Sequence, residues 1–156
     1  DVAAALGLAQ LPQAGDVLQR GALTLHVLPL TDQHGYDRLL WSCDLNIVRG
    51  EDSFVRAQWA ARPFLWHIYR QDEDAHLVKL EAFLQRYLAP LPAALQQAVG
   101  ELWRGWNREQ DVSASWRQAL ALLPAWQAHA RAWPQMQLAH GDLATRLVQF
   151  TEKQLQ

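Results

Sequence analysis

At 156 residues the chain is one domain's worth, and with 50% of its residues hydrophobic and 19% charged it is a folded domain and not a disordered tail. Its formal net charge of -2 gives no electrostatic reason to bind nucleic acid or a membrane surface, and no apolar run approaches the roughly 20 residues that span a bilayer. The one cysteine, Cys43, excludes an internal disulfide framework and a cysteine-rich zinc site, and fits a reducing, cytoplasmic compartment. The chain opens at Asp1 with neither an initiator methionine nor a signal sequence, so it is expected to be a piece of something longer, incomplete at its start.

Val2 to Ala9 reads as the end of an alanine- and leucine-rich helix, and Pro12, Gly15 and Gly21 then mark a loop. Leu23 to Leu28 alternates like a strand ended by Pro29. Gln33 to Trp41 reads as a short helix with Asp32 as its cap. Leu45 to Val48 is a second strand, Glu51 to Ala60 a helix, and Phe64 to Ile68 a third strand after Pro63. Strands alternating with helices over residues 1–71 predict an α/β part, a parallel sheet with crossover helices. Residues 72–156 predict a helical part. Ala75 to Ala89 sets Leu77, Leu80, Phe83, Leu84 and Leu88 on one stripe before Pro90 and Pro92. Further helices fit Ala93 to Trp106, Ser113 to Trp133 and Gln135 to Lys153, with Pro124 kinking or splitting the second of these.

The stretch Cys43-Asp44-Leu45-Asn46-Ile47-Val48-Arg49-Gly50-Glu51-Asp52-Ser53 carries the chemistry. A strand, a glycine turn and a helix start place free N–H groups and a helix dipole at one point, suited to a phosphorylated sugar donor. Arg49 can grip two phosphate oxygens through its planar fork, and Ser53 with the first-turn amides suits the same group. Glu51 and Asp52 would repel a phosphate, so they fit sugar hydroxyls or the orienting of Arg49. Ordinary helix capping by Asp52 and Ser53 remains open, as does a surface salt bridge for Arg49, worth about 0–1 kcal/mol. Gln33 follows the first strand's end and either meets the ligand or starts a solvated helix. Tyr69 closes the third strand at the same sheet edge, within reach of a diphosphate or simply half-buried; Tyr36 packs on the nucleotide or, the favoured reading, on the sheet.

The histidines have no metal-ligand spacing: His67 and His76, and His129 and His140, read as core-edge or surface residues. Trp103, Trp106, Trp116, Trp126 and Trp133 fall in helices and read as core, not as a stacking platform. Asp72, Glu73 and Asp74 read as a solvated helix cap.

The run Gln33-x-x-Tyr36-Asp37-x-Leu39-Leu40-Trp41-x-Cys43-Asp44-Leu45-Asn46 is followed by Val48 to Ala57, Pro63, Trp66-His67-Ile68-Tyr69-x-Gln71, Ala75-His76 and Lys79-Leu80. With these residues the chain closely resembles the carboxyl-terminal domain of the bacterial arginine rhamnosyltransferases that mature elongation factor P. The resemblance is dense over residues 23–88 and looser over the tryptophan-rich helices. It implies the donor half of a two-domain GT-B glycosyltransferase, a Rossmann-like nucleotide-sugar-binding domain over residues 1–156. Rhamnose would pass with inversion from dTDP-β-L-rhamnose to an arginine of elongation factor P, with no metal or further cofactor.

The resemblance assigns Gln33, Arg49, Gly50, Glu51, Asp52, Ser53 and Tyr69 to donor binding, with Arg49, Glu51 and Asp52 supporting catalysis. The general base and the acceptor contacts are expected in an amino-terminal domain. One departure is Leu30, where a phenylalanine beside the nucleobase is expected. Two other readings stay open: a non-catalytic α/β module that binds a protein, and a GT-B enzyme with another nucleotide sugar.

Overall fold

A computed structural model describes residues 7–139 and 141–154. The chain divides into two compact units, Asp1–Tyr36 and Asp37–Gln156.

The first unit is built on a hairpin. Strands β1 (Val17–Arg20) and β2 (Leu23–His26) pair antiparallel, with Val17 opposite His26 and Arg20 opposite Leu23. Gly21, at φ 59°, opens the two-residue link between them. A left-handed glycine there matches the right-handed twist of the flanking strands. This corrects two expectations. The stretch read as a loop from Pro12 to Gly21 contains a strand, and β2 finds an antiparallel partner where a parallel sheet was expected. The helix expected over Val2 to Ala9 lies mostly outside the described residues; Gly7 is a turn at φ 67°.

Helix α1 (Gln33–Ser42) begins where the Asp32 carboxylate accepts the Gly35 N–H at 2.7 Å, the cap expected from the sequence. The second unit then lays down β3 (Asn46–Val48), α2 (Glu51–Trp59) and β4 (Phe64–Trp66). β3 and β4 pair in parallel, Asn46 with Phe64 and Val48 with Trp66, so α2 is the crossover that a parallel pair requires. Among the described residues the parallel sheet comprises these two strands alone. The class is therefore α/β with small sheets.

The rest is helical: a 3-10 turn (Asp72–Asp74), α3 (Ala75–Leu88), α4 (Ala93–Asn107), α5 (Ser113–Ala121), α6 (Leu123–Leu138) and α7 (Leu143–Gln154). Asp72, Glu73 and Asp74 are exposed as expected, but no side chain of theirs caps a helix. Pro124 lies in the first turn of α6 and marks the split between α5 and α6, since its missing N–H costs nothing there. Pro134, read as a boundary, lies inside α6 instead. The helix runs through it because Trp133 is buried beside it and its Nε1 donates to Gln58 Oε1 at 3.0 Å. The break falls at Gly141, φ 73°, after which Asp142 accepts the Thr145 N–H at 2.9 Å and starts α7.

The core is an aromatic lattice around Phe83 of α3. Its ring lies 4.8 Å from Phe54, 5.4 Å from Tyr87, 5.7 Å from Trp103 and 6.0 Å from Trp133, which joins α2, α3, α4 and α6. Phe64, Leu65 and Trp66 of β4 are all buried, and the rings of Phe64 and Trp66 join this lattice. Trp126 donates to the Tyr87 hydroxyl at 3.1 Å. The tryptophans are core as read, fully so for Trp103, Trp126 and Trp133 and half so for Trp106 and Trp116.

Trp103→Ala should cost about 3–5 kcal/mol in urea denaturation followed by circular dichroism, because it removes a fully buried indole from three ring contacts. A loss below about 1 kcal/mol would contradict the lattice. A second expectation concerns His129, buried between Tyr87 and Trp133. Burial lowers its pKa, and a hydrogen bond with the Tyr87 backbone partly offsets this. The unfolded chain therefore takes up the proton first. This stability is full above the unfolded value of about 6.5 and declines as pH falls through it toward the lowered folded value. Tm should drop between about pH 7 and pH 5, and His129→Gln should flatten that drop; an unchanged slope would refute the assignment.

Candidate functional site

The carboxyl ends of β3 and β4 meet the amino end of α2 at one edge of the parallel pair. Val48 ends β3, Gly50 stands as the N-cap residue of α2 with φ -66° and ψ 159°, and the first helical bond is Phe54 N–H to Gly50 O at 2.9 Å. No side chain caps this end. The amides of Glu51, Asp52 and Ser53 therefore lack helical acceptors, and the positive end of the dipole faces outward.

Gly50 is not needed for a left-handed turn: its φ is negative, and an added Cβ would meet Ser53 Oγ at 3.6 Å and Tyr69 Cε2 at 4.0 Å, both ordinary contacts. Ser53 turns its hydroxyl inward and donates to Gly50 O at 2.7 Å, so toward a ligand it offers its N–H and an acceptor oxygen.

The structure brings Arg49 and Tyr69 together. The Arg49 guanidinium carbon lies 4.3 Å from the centre of the exposed Tyr69 ring, a cation–π contact. Among the described residues Arg49 makes no ion pair, so the surface salt bridge weighed for it is replaced by the aromatic face. Its backbone is held as well: Trp66 Nε1 donates to Arg49 O at 2.8 Å.

The two carboxylates are partnered elsewhere. Asp52 accepts from Arg56 Nε at 2.8 Å, one helical turn on, and Arg56 Nη1 reaches both oxygens of Asp37 at 3.0 Å. Arg56 thus ties α2 to α1, and these two carboxylates raise its pKa. Glu51 lies 3.8 Å from Lys79 Nζ of α3. The reading in which Glu51 and Asp52 orient Arg49 is therefore corrected: the cations they meet are Lys79 and Arg56. Each remains mostly exposed, with oxygens open to a ligand.

Gln33 is exposed at the start of α1, in the unit Asp1–Tyr36; Tyr36 is half-buried, and Leu30 is fully exposed. His67, just past β4, is half-buried; burial first and the Arg49 charge second lower its pKa, against a raising effect from Glu109. His76 is buried and its Nδ1 accepts the Gln71 N–H at 3.4 Å, while His140 lies outside the described residues. Among the described residues no three His, Cys, Asp or Glu side chains converge on a metal position, and no helix is long and apolar enough to cross a membrane.

Three groups that shape the site were not singled out from the sequence as site residues: the Trp66 indole, Lys79 and Arg56. The partners of Trp66 and Lys79 lie 17 and 28 positions away, beyond any local pattern, whereas Arg56 stands at the i,i+4 spacing from Asp52 and its other partner, Asp37, lies 19 positions away. The arrangement can hold a dianion between fixed N–H donors and a guanidinium, and sugar hydroxyls against the carboxylates of Glu51 and Asp52.

Comparisons with known proteins agree on one family. The family model for Elongation-Factor P (EF-P) rhamnosyltransferase EarP matches residues 1–152. The chain is 56% identical over 141 residues to a protein-arginine rhamnosyltransferase of Pseudomonas putida, covering 90% of this chain and 37% of that one. It is 54% identical over 150 residues to its counterpart in Pseudomonas aeruginosa, covering 96% of this chain and 40% of that one. A solved structure described as the structural basis for EarP-mediated arginine glycosylation of translation elongation factor EF-P superimposes with a TM-score of 0.83 at 49% identity. It covers 97% of this chain and 48% of that one. The chain thus spans less than half the length of these relatives.

The Arg56 clamp yields a graded expectation. Asp37, 24% exposed and bonded through both oxygens, should lose more stability on mutation to Asn than Asp52, which is 74% exposed. The difference should be on the order of 1 kcal/mol in urea denaturation. Equal losses would contradict the clamp.

Proposed function

Because the chain belongs to the EarP family of EF-P rhamnosyltransferases, we propose that it is the nucleotide-sugar-binding part of an enzyme that rhamnosylates an arginine of EF-P. The donor is dTDP-β-L-rhamnose, the architecture is GT-B with this chain as its Rossmann-like donor half, and the setting is the cytoplasm. One observation carries this reading: an uncapped helix start, an arginine lying on a tyrosine face, and two exposed carboxylates share the carboxyl edge of a parallel strand pair.

In the proposed reaction an acceptor guanidine nitrogen forms a bond to the anomeric carbon from the face opposite the diphosphate. The carbon–oxygen bond to the β-phosphate breaks, its electron pair leaves with dTDP, and configuration inverts. The proton lost from the nitrogen goes to a general base contributed by the remaining length of the enzyme, which also holds EF-P. Negative charge grows on the diphosphate as the bond breaks. Arg49 and the amides of Glu51, Asp52 and Ser53 meet that charge without rearranging, and no metal or further cofactor is called for. Glu51 and Asp52 accept hydrogen bonds from ribose or rhamnose hydroxyls. Ser53, Gly50 and Tyr69 shape the diphosphate cradle, and Gln33 reaches the nucleobase or a phosphate.

The test is calorimetry with dTDP on the full-length enzyme and on its Arg49→Ala variant. Loss of a charge-assisted contact worth about 1.5–3 kcal/mol should weaken dTDP roughly 10- to 100-fold. Unchanged affinity would remove Arg49 from the site. Equal or tighter binding of UDP or GDP would point to another donor, and binding of none of the three would favour a protein-binding module.

A further inference from the structure

We infer that Asn107, at the end of α4, is a positioning residue for this site: its side chain acts as a one-residue substitute for a neighbouring strand and holds Tyr69 and Arg49 in place. The inference rests on the donor-site reading proposed above.

Among the described residues β4 pairs with β3 on one side only. On that side His67 N–H donates to Val48 O at 2.8 Å, so the groups facing the other way are the Trp66 carbonyl and the Ile68 N–H. In a parallel ladder a residue of the next strand would donate to the first and accept from the second. The Asn107 amide does both: Nδ2 donates to Trp66 O at 2.8 Å, and Oδ1 accepts the Ile68 N–H at 3.0 Å. The second Nδ2 hydrogen goes to Trp103 O at 2.9 Å, one turn back in α4. Both donors and the acceptor are used in a buried setting, and only one orientation of the amide satisfies all three bonds.

The effect is to carry extended backbone past the end of β4. His67 is held from both sides, by Val48 and by Asn107, and two residues later Tyr69 comes within 4.0 Å of the position a Gly50 Cβ would take and beneath the Arg49 guanidinium. The same segment supplies the Trp66 indole that fixes the Arg49 carbonyl. Both parts of the cradle, the arginine turn and the tyrosine face, therefore hang from residues that Asn107 clamps. Burial alone would not need this side chain. A leucine fills similar volume, but it would leave the Ile68 N–H and the Trp66 carbonyl without partners.

The experiment is a double-mutant cycle in the full-length enzyme. Asn107→Asp keeps the shape and the acceptor but turns a carboxylate oxygen toward two carbonyls. It should weaken dTDP roughly 10- to 100-fold by calorimetry and raise the donor KM more than it lowers kcat, with the protein-acceptor KM unchanged. In a Tyr69→Ala background the same substitution should cost clearly less than in the parent enzyme, because one of the two groups it positions is gone. Equal losses in the two backgrounds would overturn the inference. So would unchanged affinity in Asn107→Asp while Arg49→Ala and Tyr69→Ala each weaken dTDP. If those two variants also bind dTDP normally, the donor-site reading itself fails and this inference falls with it. Should Asn107→Asp not fold, Asn107→Ser replaces it in the cycle, and failure of both to fold would mark the amide as purely structural and end the positioning role.

Discussion

The structure of the second unit depends on one constraint: a two-stranded parallel sheet cannot stand by itself. Parallel strands normally occur in sheets covered on both faces, and an isolated pair of short strands is marginal at best in water. β3 and β4 have three residues each. What makes them a scaffold is the cover. Every residue of β4 is buried, and the rings of Phe64 and Trp66 enter the lattice around Phe83 with Phe54, Tyr87 and Trp103. Stacked and edge-to-face aromatic pairs each add about 0.5–1.5 kcal/mol beyond the area they bury, so a lattice of this size outweighs a ladder of a few hydrogen bonds. The helices hold the sheet, and the sheet holds the turn.

The same cover explains where polar groups are allowed. Asn46 Nδ2 donates to Leu40 O at 3.0 Å and binds β3 to α1, while Asn107 takes the open side of β4. Both are buried: Asn46 meets a carbonyl in the last turn of α1, and Asn107 meets backbone groups that a wider sheet would have paired. Charges stay at the margin. Arg104 and Glu81 meet in a two-bond fork at 2.8 Å between α4 and α3, which lowers the Glu81 pKa. Arg56 serves α2 and α1 in the same way, with one carboxylate from each helix.

Much of this was legible in the sequence because it is local. The helix stripes, the Asp32 cap and the split at Pro124 are set by residues within a turn or two of one another. The strand–turn–helix at residues 46–59 could be read from Val48, Arg49 and Gly50 in order. The hairpin was missed because Gly21 was read as loop punctuation when a two-residue link with glycine first is a turn that returns the chain on itself. Pro134 marks a break between helices in the sequence pattern, but the buried indole of Trp133 and its bond to Gln58, 75 positions away, hold the helix across it. Asn107 left no mark, since its partners Trp66 and Ile68 lie 41 and 39 positions back, and a polar residue at a helix end reads as an ordinary terminus.

The way Arg49 is held bears on what the site can do. Had a carboxylate fixed the guanidinium, an incoming diphosphate would have to displace it, and the gain in one ion pair would be offset by the loss of another. An aromatic face orients the planar group through its quadrupole and leaves the N–H edge unneutralised. The carboxylates that flank the turn could have taken that place, but Arg56 sits one helical turn after Asp52 and Lys79 faces Glu51 from α3. Two cations outside the turn thus keep two anions off the arginine inside it. The charge balance across the first two turns of α2 is what leaves one guanidinium and three amides facing the same empty edge.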